Sequence, residues 1–342
     1  MTASDEELDS PFQTVSDVEY STIDRLERWF SSSVVAPLRI LLSDPRGLFG
    51  VATVLFYVLM GTVGVWLVPV PEADGPVLET AFAGGISAIF EPGGWIDFTP
   101  FPDLNYPLGT NRYGAGVFER IVHATPAMLK LVLGGAVFSV ATGTVLGTFS
   151  GYKGGRTDEI IMMFADAVMA VPDLPLIIVL SIVFTPENPF VVGILISLPR
   201  WAGLSRALRS EVLSLREESF VEASRINGLS TPTILRRELI PNLMPYITIN
   251  FVGAARGVIF ASVALYFLRI LPLSDLNWGV MMNEAYSDAG ALLTWSSAHW
   301  IIFPMVAIVG LSFGLIMLGQ AADRVFNPRL RARHAQPDDV GE

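Results

Sequence analysis

Charged residues set inside long apolar runs are the first places where this sequence could do chemistry. Arg256 lies midway through the apolar run 243–268, and Asp166 and Asp173 lie in the run 159–184. A charge near the centre of a bilayer costs about 2.5 kcal/mol or more unless it is paired or hydrated, so each needs a reason to be there. Two readings stand for Arg256. It lines a pathway and meets a substrate carboxylate through charge-assisted hydrogen bonds, or it pairs with one of the two aspartates or snorkels to the headgroups. Asp173 falls within Pro172-Asp173-Leu174-Pro175, where backbone groups freed by proline offer it partners and favour a structural role. Gly151-Tyr152-Lys153-Gly154 superficially resembles a phosphate loop. A Walker A loop, however, places Gly-Lys before Ser or Thr, whereas Lys153 follows Tyr152, so a tight turn fits better and no ATP binds by that route. His123, His299 and His334 stand singly, and His299 beside Trp300 reads as an interface anchor. There is no metal-ligand cluster and no nucleophile-base pair, so no catalytic site is expected.

A polar island carries the strongest local signal. Residues 221–245 read VEASRINGLSTPTILRRELIPNLMP. Glu222, Ala223 and Ser224 open a short helix and Gly228 stops it; Thr231 and Pro232 cap and start a second helix, which Pro241 ends. Two short helices at a sharp angle are expected, with Phe220, Val221, Ile226 and Leu229 presented to a groove on a partner protein. A DNA-binding helix-turn-helix is the rival reading. Segment 206–242 balances six arginines against five glutamates, which is no electrostatic footprint for nucleic acid.

The elements that must hold these residues are membrane spans. Hydrophobic residues make up 51% of the chain and charged residues 16%, and the mean hydropathy is +0.51, a balance foreign to soluble domains of this size. Apolar runs of spanning length occur near 48–70, 126–150, 159–184, 243–268 and 300–321, and a sixth near 189–205 is interrupted by Pro199 and Arg200. The fold class expected is all-α, a polytopic membrane protein with six transmembrane helices. Its first 47 residues form an N-terminal segment, disordered over 1–22 and interfacial over 23–42. Residues 48–70 are the first span, 71–125 an external loop, 126–322 a five-helix core with a docking loop at 218–241, and 323–342 a tail. The long loop sets span one apart from the rest. No signal peptide is visible. Arg25, Arg28, Arg39 and Arg46 precede span one and Arg324, Arg329, Arg331 and Arg333 follow the last, so both termini and the arginine-rich docking loop belong in the cytoplasm of a multi-pass plasma-membrane protein. There are 33 acids, against 22 basic residues of which only Lys130 and Lys153 are lysines. That surface suits very high salt and points to a halophilic archaeon.

The island also resembles the EAA loop of ATP-binding-cassette importer permeases, with Glu222, Ala223, Gly228 and Pro241 at the family's positions and Ser224 and Ile240 in place of Ala and Leu. The stretches PLGTNRYGAGVFERI, GYKGGRTDEIIMMFADAVMAVPDLPL and SEVLSLREESFVEAS look like the second permease of the dipeptide/oligopeptide/nickel importer family, and the similarity runs from about 38 to 333. Asn111 replaces the family's usual Asp in the outer loop, the Arg-Asp pair that follows is lost, and Leu265 to Arg269 stand where small residues and glycine are usual. The resemblance implies a type I importer (MetI-like) permease fold. It also implies a second permease subunit, two cytoplasmic ATPase subunits that hold the ATP and Mg, and an external substrate-binding protein. This chain would bind no cofactor itself. Glu222, Ala223, Ser224, Gly228 and Pro241 would couple it to an ATPase, and the solute would be a peptide, an oligosaccharide or a metal chelate. An ion-coupled secondary transporter and a membrane-tethered scaffold are the rivals from other classes. No internal repeat of the kind common in secondary transporters is visible.

Overall fold

In the computed structural model residues 36–73, 77, 106–271, 276–288, 290–292 and 297–326 are described. The N-terminal segment to 35, most of the 71–110 excursion and the tail beyond Phe326 lie outside them. Helix α1 (Ala36–Ser43) leads to α2 (Pro45–Leu67), which starts where the Asp44 carboxylate accepts the Arg46 N–H at 3.0 Å and Pro45 fills the first turn. Helix α3 (Val117–Lys153) has 37 residues and so runs about 55 Å, well beyond the hydrocarbon thickness. Next come α4 (Gly155–Ala170) and α5 (Asp173–Phe184), bent by 90° across Val171-Pro172, and then α6 (Pro189–Ser197) and α7 (Arg200–Leu215), bent by 54° at Leu198-Pro199. The chain continues through α8 (Ser219–Ile226), α9 (Thr231–Phe267), α10 (Trp278–Ser287) and α11 (His299–Phe326). Helices α2, α3, α9 and α11 are long and apolar enough to cross a membrane. Each bent pair makes one more span if its halves count together, which gives the six expected. Among the described residues there is no strand beyond an isolated bridge between Thr110 and Gly116.

A seam of small residues along α3 holds the centre together. Gly135, Ser139, Gly143, Gly147 and Gly151 recur every fourth residue, so they share one helix face. The bent pair α6–α7 lies directly on that face. A Cβ on Gly147 would stand 2.4 Å from the Ser205 carbonyl oxygen, and one on Gly193 would stand 2.0 Å from that of Leu131. In lipid, helix association relies on such close backbone approach, because leaving lipid tails brings no hydrophobic gain. Span one is separated in sequence by its long loop, yet it packs along α11. There the Tyr57 hydroxyl donates to the Ala307 carbonyl at 2.8 Å and its ring meets Trp278 edge-on at 5.8 Å.

The docking segment departs from its expected outline at its second helix. Pro241 does not end a short second helix; α9 runs unbroken from Thr231 through Pro241 and Pro245 into the span. The reason is a π-helical turn over Leu235–Leu239, in which the Ile240 N–H reaches the Leu235 carbonyl. Proline has no N–H to donate and collides with the carbonyl four residues back in a regular helix; the widened turn just before Pro241 absorbs that mismatch.

Candidate functional site

The short helix α8 is built to stand out from the core while being gripped from behind. It begins at Ser219 after Glu218, so Glu222, Ala223 and Ser224 lie in its middle rather than at its start. Its end is set by Gly228 at φ +75°, where the Leu229 N–H reaches back to Ser224 O at 3.2 Å and the Gly228 N–H to Arg225 O at 3.0 Å. That double closure is a Schellman motif, which needs a left-handed residue at this position. Ser230 then holds the cap position of α9 without a side-chain capping bond, one residue before the expected cap. A Cβ on Gly228 would meet no atom within 4 Å, so the cost of Gly228→Ala lies in the backbone alone, about 1 kcal/mol. We expect Gly228→Ala to lower thermal stability and transport, and Gly228→Asn, which tolerates the left-handed region, to recover most of both. Equal behaviour of the two variants in melting and uptake assays would show that the turn is not what the glycine supplies.

Two of the apolar residues expected to face a partner face inward instead. Val221 is fully buried with Val212, Ile234 and Leu239, and Phe220 is packed against the same cluster. Helix rotation decides this: Val221 and Ser224, three residues apart, form the inner face. The outer face carries Glu222, Ala223, Arg225 and Ile226, the last 80% exposed, with Leu229 just beyond the turn. The Glu222 carboxylate makes no hydrogen bond or ion pair among the described residues. Pro241 is exposed on α9, beyond the π turn.

Two arginines that the sequence reading did not single out brace this helix. Arg225 lies over the Tyr152 ring at 5.7 Å, and Arg216 donates to the Gly151 carbonyl at 3.2 Å. Both Tyr152 and Gly151 belong to the last turn of α3, and Gly154 at φ +67° makes the tight turn expected there. Just past that turn the buried Asp158 receives Arg209 in a bidentate pair. A push on α8 therefore has stiff paths to α3, α4 and α9. The available signal was the spacing of GYKGGRTD, which puts an acid four residues after the turn glycine at a helix start.

The three charged residues within the spans are not gathered together. Asp166 pairs with Arg206 across α4 and α7, both about half exposed, and Asp173 stands exposed in the first turn of α5. Arg256 joins neither. Its Nε is buried, and its guanidinium makes no hydrogen bond or ion pair among the described residues.

At the opposite end of α3 a compact cap closes over α10. Asn111 Oδ1 accepts the N–H groups of Tyr113 at 3.0 Å and Ala115 at 2.9 Å, which are acceptor roles an aspartate would also fill. Arg120 pairs with Glu284 at 2.6 Å and Arg112 with Asp288 at 3.5 Å. The Tyr113 hydrogen bond, and after it the nearby carboxylates of Asp288 and Glu284, raise the Arg112 pKa against an opposing effect of desolvation. His299 is not an interface anchor. It is 1% exposed and its Nε2 lies 3.1 Å from the Thr110 carbonyl, so it ties the cap to the start of α11.

Comparison with known proteins gives this helical bundle with its braced short helix a family. Residues 143–332 match the family described as binding-protein-dependent transport system inner membrane component, and the chain belongs to it. More narrowly, it is an ATP-binding-cassette importer permease of the dipeptide/oligopeptide group. It is 30% identical to the oligopeptide transport system permease protein OppC of Bacillus subtilis over 231 residues, 67% of this chain and 74% of the relative. It is 29% identical to the dipeptide transport system permease protein DppC of the same organism, over 67% of this chain and 71% of that one. A putative peptide transport system permease protein of Brucella abortus is 29% identical over 306 residues, 88% of this chain and 93% of its own. Membership places the chain in multi-pass membrane complexes that contain a partner permease, ATPases and a substrate-binding protein.

Proposed function

We propose that this chain carries peptides inward across the plasma membrane as one of two different permease subunits, driven by two ATPases docked on the cytoplasmic side and fed by an external binding protein. The observation that carries the coupling role is helix α8, whose inner face is locked to the core through Val221 while Glu222, Ala223 and Ile226 are left uncovered. Closure of the ATPases would move α8 as a rigid body and rock the spans behind it between inward-open and outward-open states. The chain is the non-catalytic part; hydrolysis belongs to the ATPases. The arginines flanking the first and last spans support cytoplasmic termini, and the acid-rich, lysine-poor composition supports work in concentrated salt. The names of the relatives support a peptide as the solute.

The test is reconstitution of the whole complex in liposomes at high salt. ATP inside, with binding protein outside, should drive accumulation of labelled trialanine. Uptake by this chain alone under an ion gradient, without ATP, would establish a secondary transporter and overturn the reading.

A further inference from the structure

We infer that Arg200 and Arg256 form a paired cationic site that receives the terminal carboxylate of a peptide in transit; this rests on the peptide reading above. Arg200 stands at the 54° bend between α6 and α7. Its Nη2 reaches the Gly257 carbonyl at a long 3.4 Å and its Nε is buried without a hydrogen-bond partner. The neighbouring residue, Arg256, also has a buried, unpartnered Nε. Gly257 admits Arg200 against α9 one residue from Arg256, because a Cβ there would stand 2.1 Å from Arg200 Nη1.

Both arginines sit at membrane depth. Ser197 and Val258 pack on Gly135 and Leu204 packs on Gly143, which sets Arg200 level with Ser139 and Arg256 within about a turn of it. Ser139 is close to the middle of the apolar stretch 126–150. A headgroup phosphate is about 15 Å away at that depth, so lipid does not supply the anion. Among the described residues, Asp166 is held by Arg206 and Asp158 by Arg209, so neither is free to supply it.

The helix surface beside each arginine is open. Gly203 is three residues beyond Arg200 and Gly253 three before Arg256, each on its arginine's helix face. Both glycines are exposed, and a Cβ on either would meet nothing within 4 Å. Two guanidinium groups beside an open strip can each offer a planar fork of N–H donors, which matches a carboxylate and not a neutral amide. Desolvated cations without a counter-charge are costly, and a transient carboxylate offsets that cost during passage.

The experiment compares ATP-dependent uptake of trialanine and of trialanine amide by the reconstituted complex, with binding protein saturating for each peptide. In the wild type trialanine should be favoured. Arg256→Gln and Arg200→Gln should each lower the trialanine-to-amide uptake ratio about ten-fold, while Arg256→Lys keeps part of the preference. If one variant fails to assemble, the other decides by the same ratio. An unchanged ratio in an assembled complex would overturn the site. Equal loss of both peptides, with the second permease subunit missing from the purified complex, would reassign the arginines to an inter-subunit ion pair and also overturn it. A wild-type complex that imports no trialanine fails differently, removing the peptide reading and this site together.

Discussion

Glu222→Lys is expected to detach the ATPase subunits and abolish ATP-driven uptake while the membrane core keeps its stability. The Glu222 carboxylate projects from the outer face of α8 and makes no hydrogen bond or ion pair among the described residues, so the fold of this chain loses nothing by its replacement. On a docked helix the same position is desolvated against a partner. Reversing a charge there costs roughly 2 kcal/mol or more, about thirty-fold in affinity. The measurement has two arms: the ATPase retained on purification through this chain, and the thermal melting of the chain itself. Retention of the ATPase with normal uptake would remove Glu222 from the coupling surface. A collapse in melting would make the helix a structural element instead.

The second large effect concerns the seam between α3 and α6. Gly193→Val should destabilise the core by about 3 kcal/mol, because the new side chain would begin 2.0 Å from the Leu131 carbonyl oxygen and only separation of the two helices can relieve it. Flexible side chains can swing away from such a clash, but helical backbone cannot. Gly203→Ala provides the contrast, since nothing lies within 4 Å of its added Cβ and alanine favours a helix; its melting should match or exceed the wild type. Chemical denaturation of the purified complex reads both. Equal stability of Gly193→Val and the wild type would show that the two helices do not touch along this seam.

Much of the positioning of the candidate site follows from local chemistry. Pro172 and Pro199 mark the two bends: Val171 is extended, as the residue before a proline prefers, while Leu198 stays helical and the bend at Pro199 follows from the hydrogen bond that proline removes. Gly228 marks the end of α8 because only a left-handed residue closes that motif. Where sequence reasoning went astray, a non-local or compensated effect overrode the local rule. Pro241 is a good helix terminator in isolation, but the π turn before it lets the helix continue. Phe220 and Val221 look like docking residues until α7 and α9 close over them. Asp166 was weighed as a partner for Arg256, and it lies instead beside Arg206, which a linear sequence does not favour over any other arginine.

By itself, then, the sequence determined the solvent and the punctuation. Runs of apolar residues long enough for a bilayer leave the chain no other stable environment, and proline and glycine act on the backbone within a few residues, so spans, bends and the helix-ending turn are all written locally. The tertiary structure alone decided the facing of each helix and the pairing of each charge. Those depend on how helices rotate about their axes when they pack. One such rotation turned Val221 inward and left Glu222 outside, and the missing side chain of Gly257 let Arg200 reach the backbone of α9 from 57 residues away.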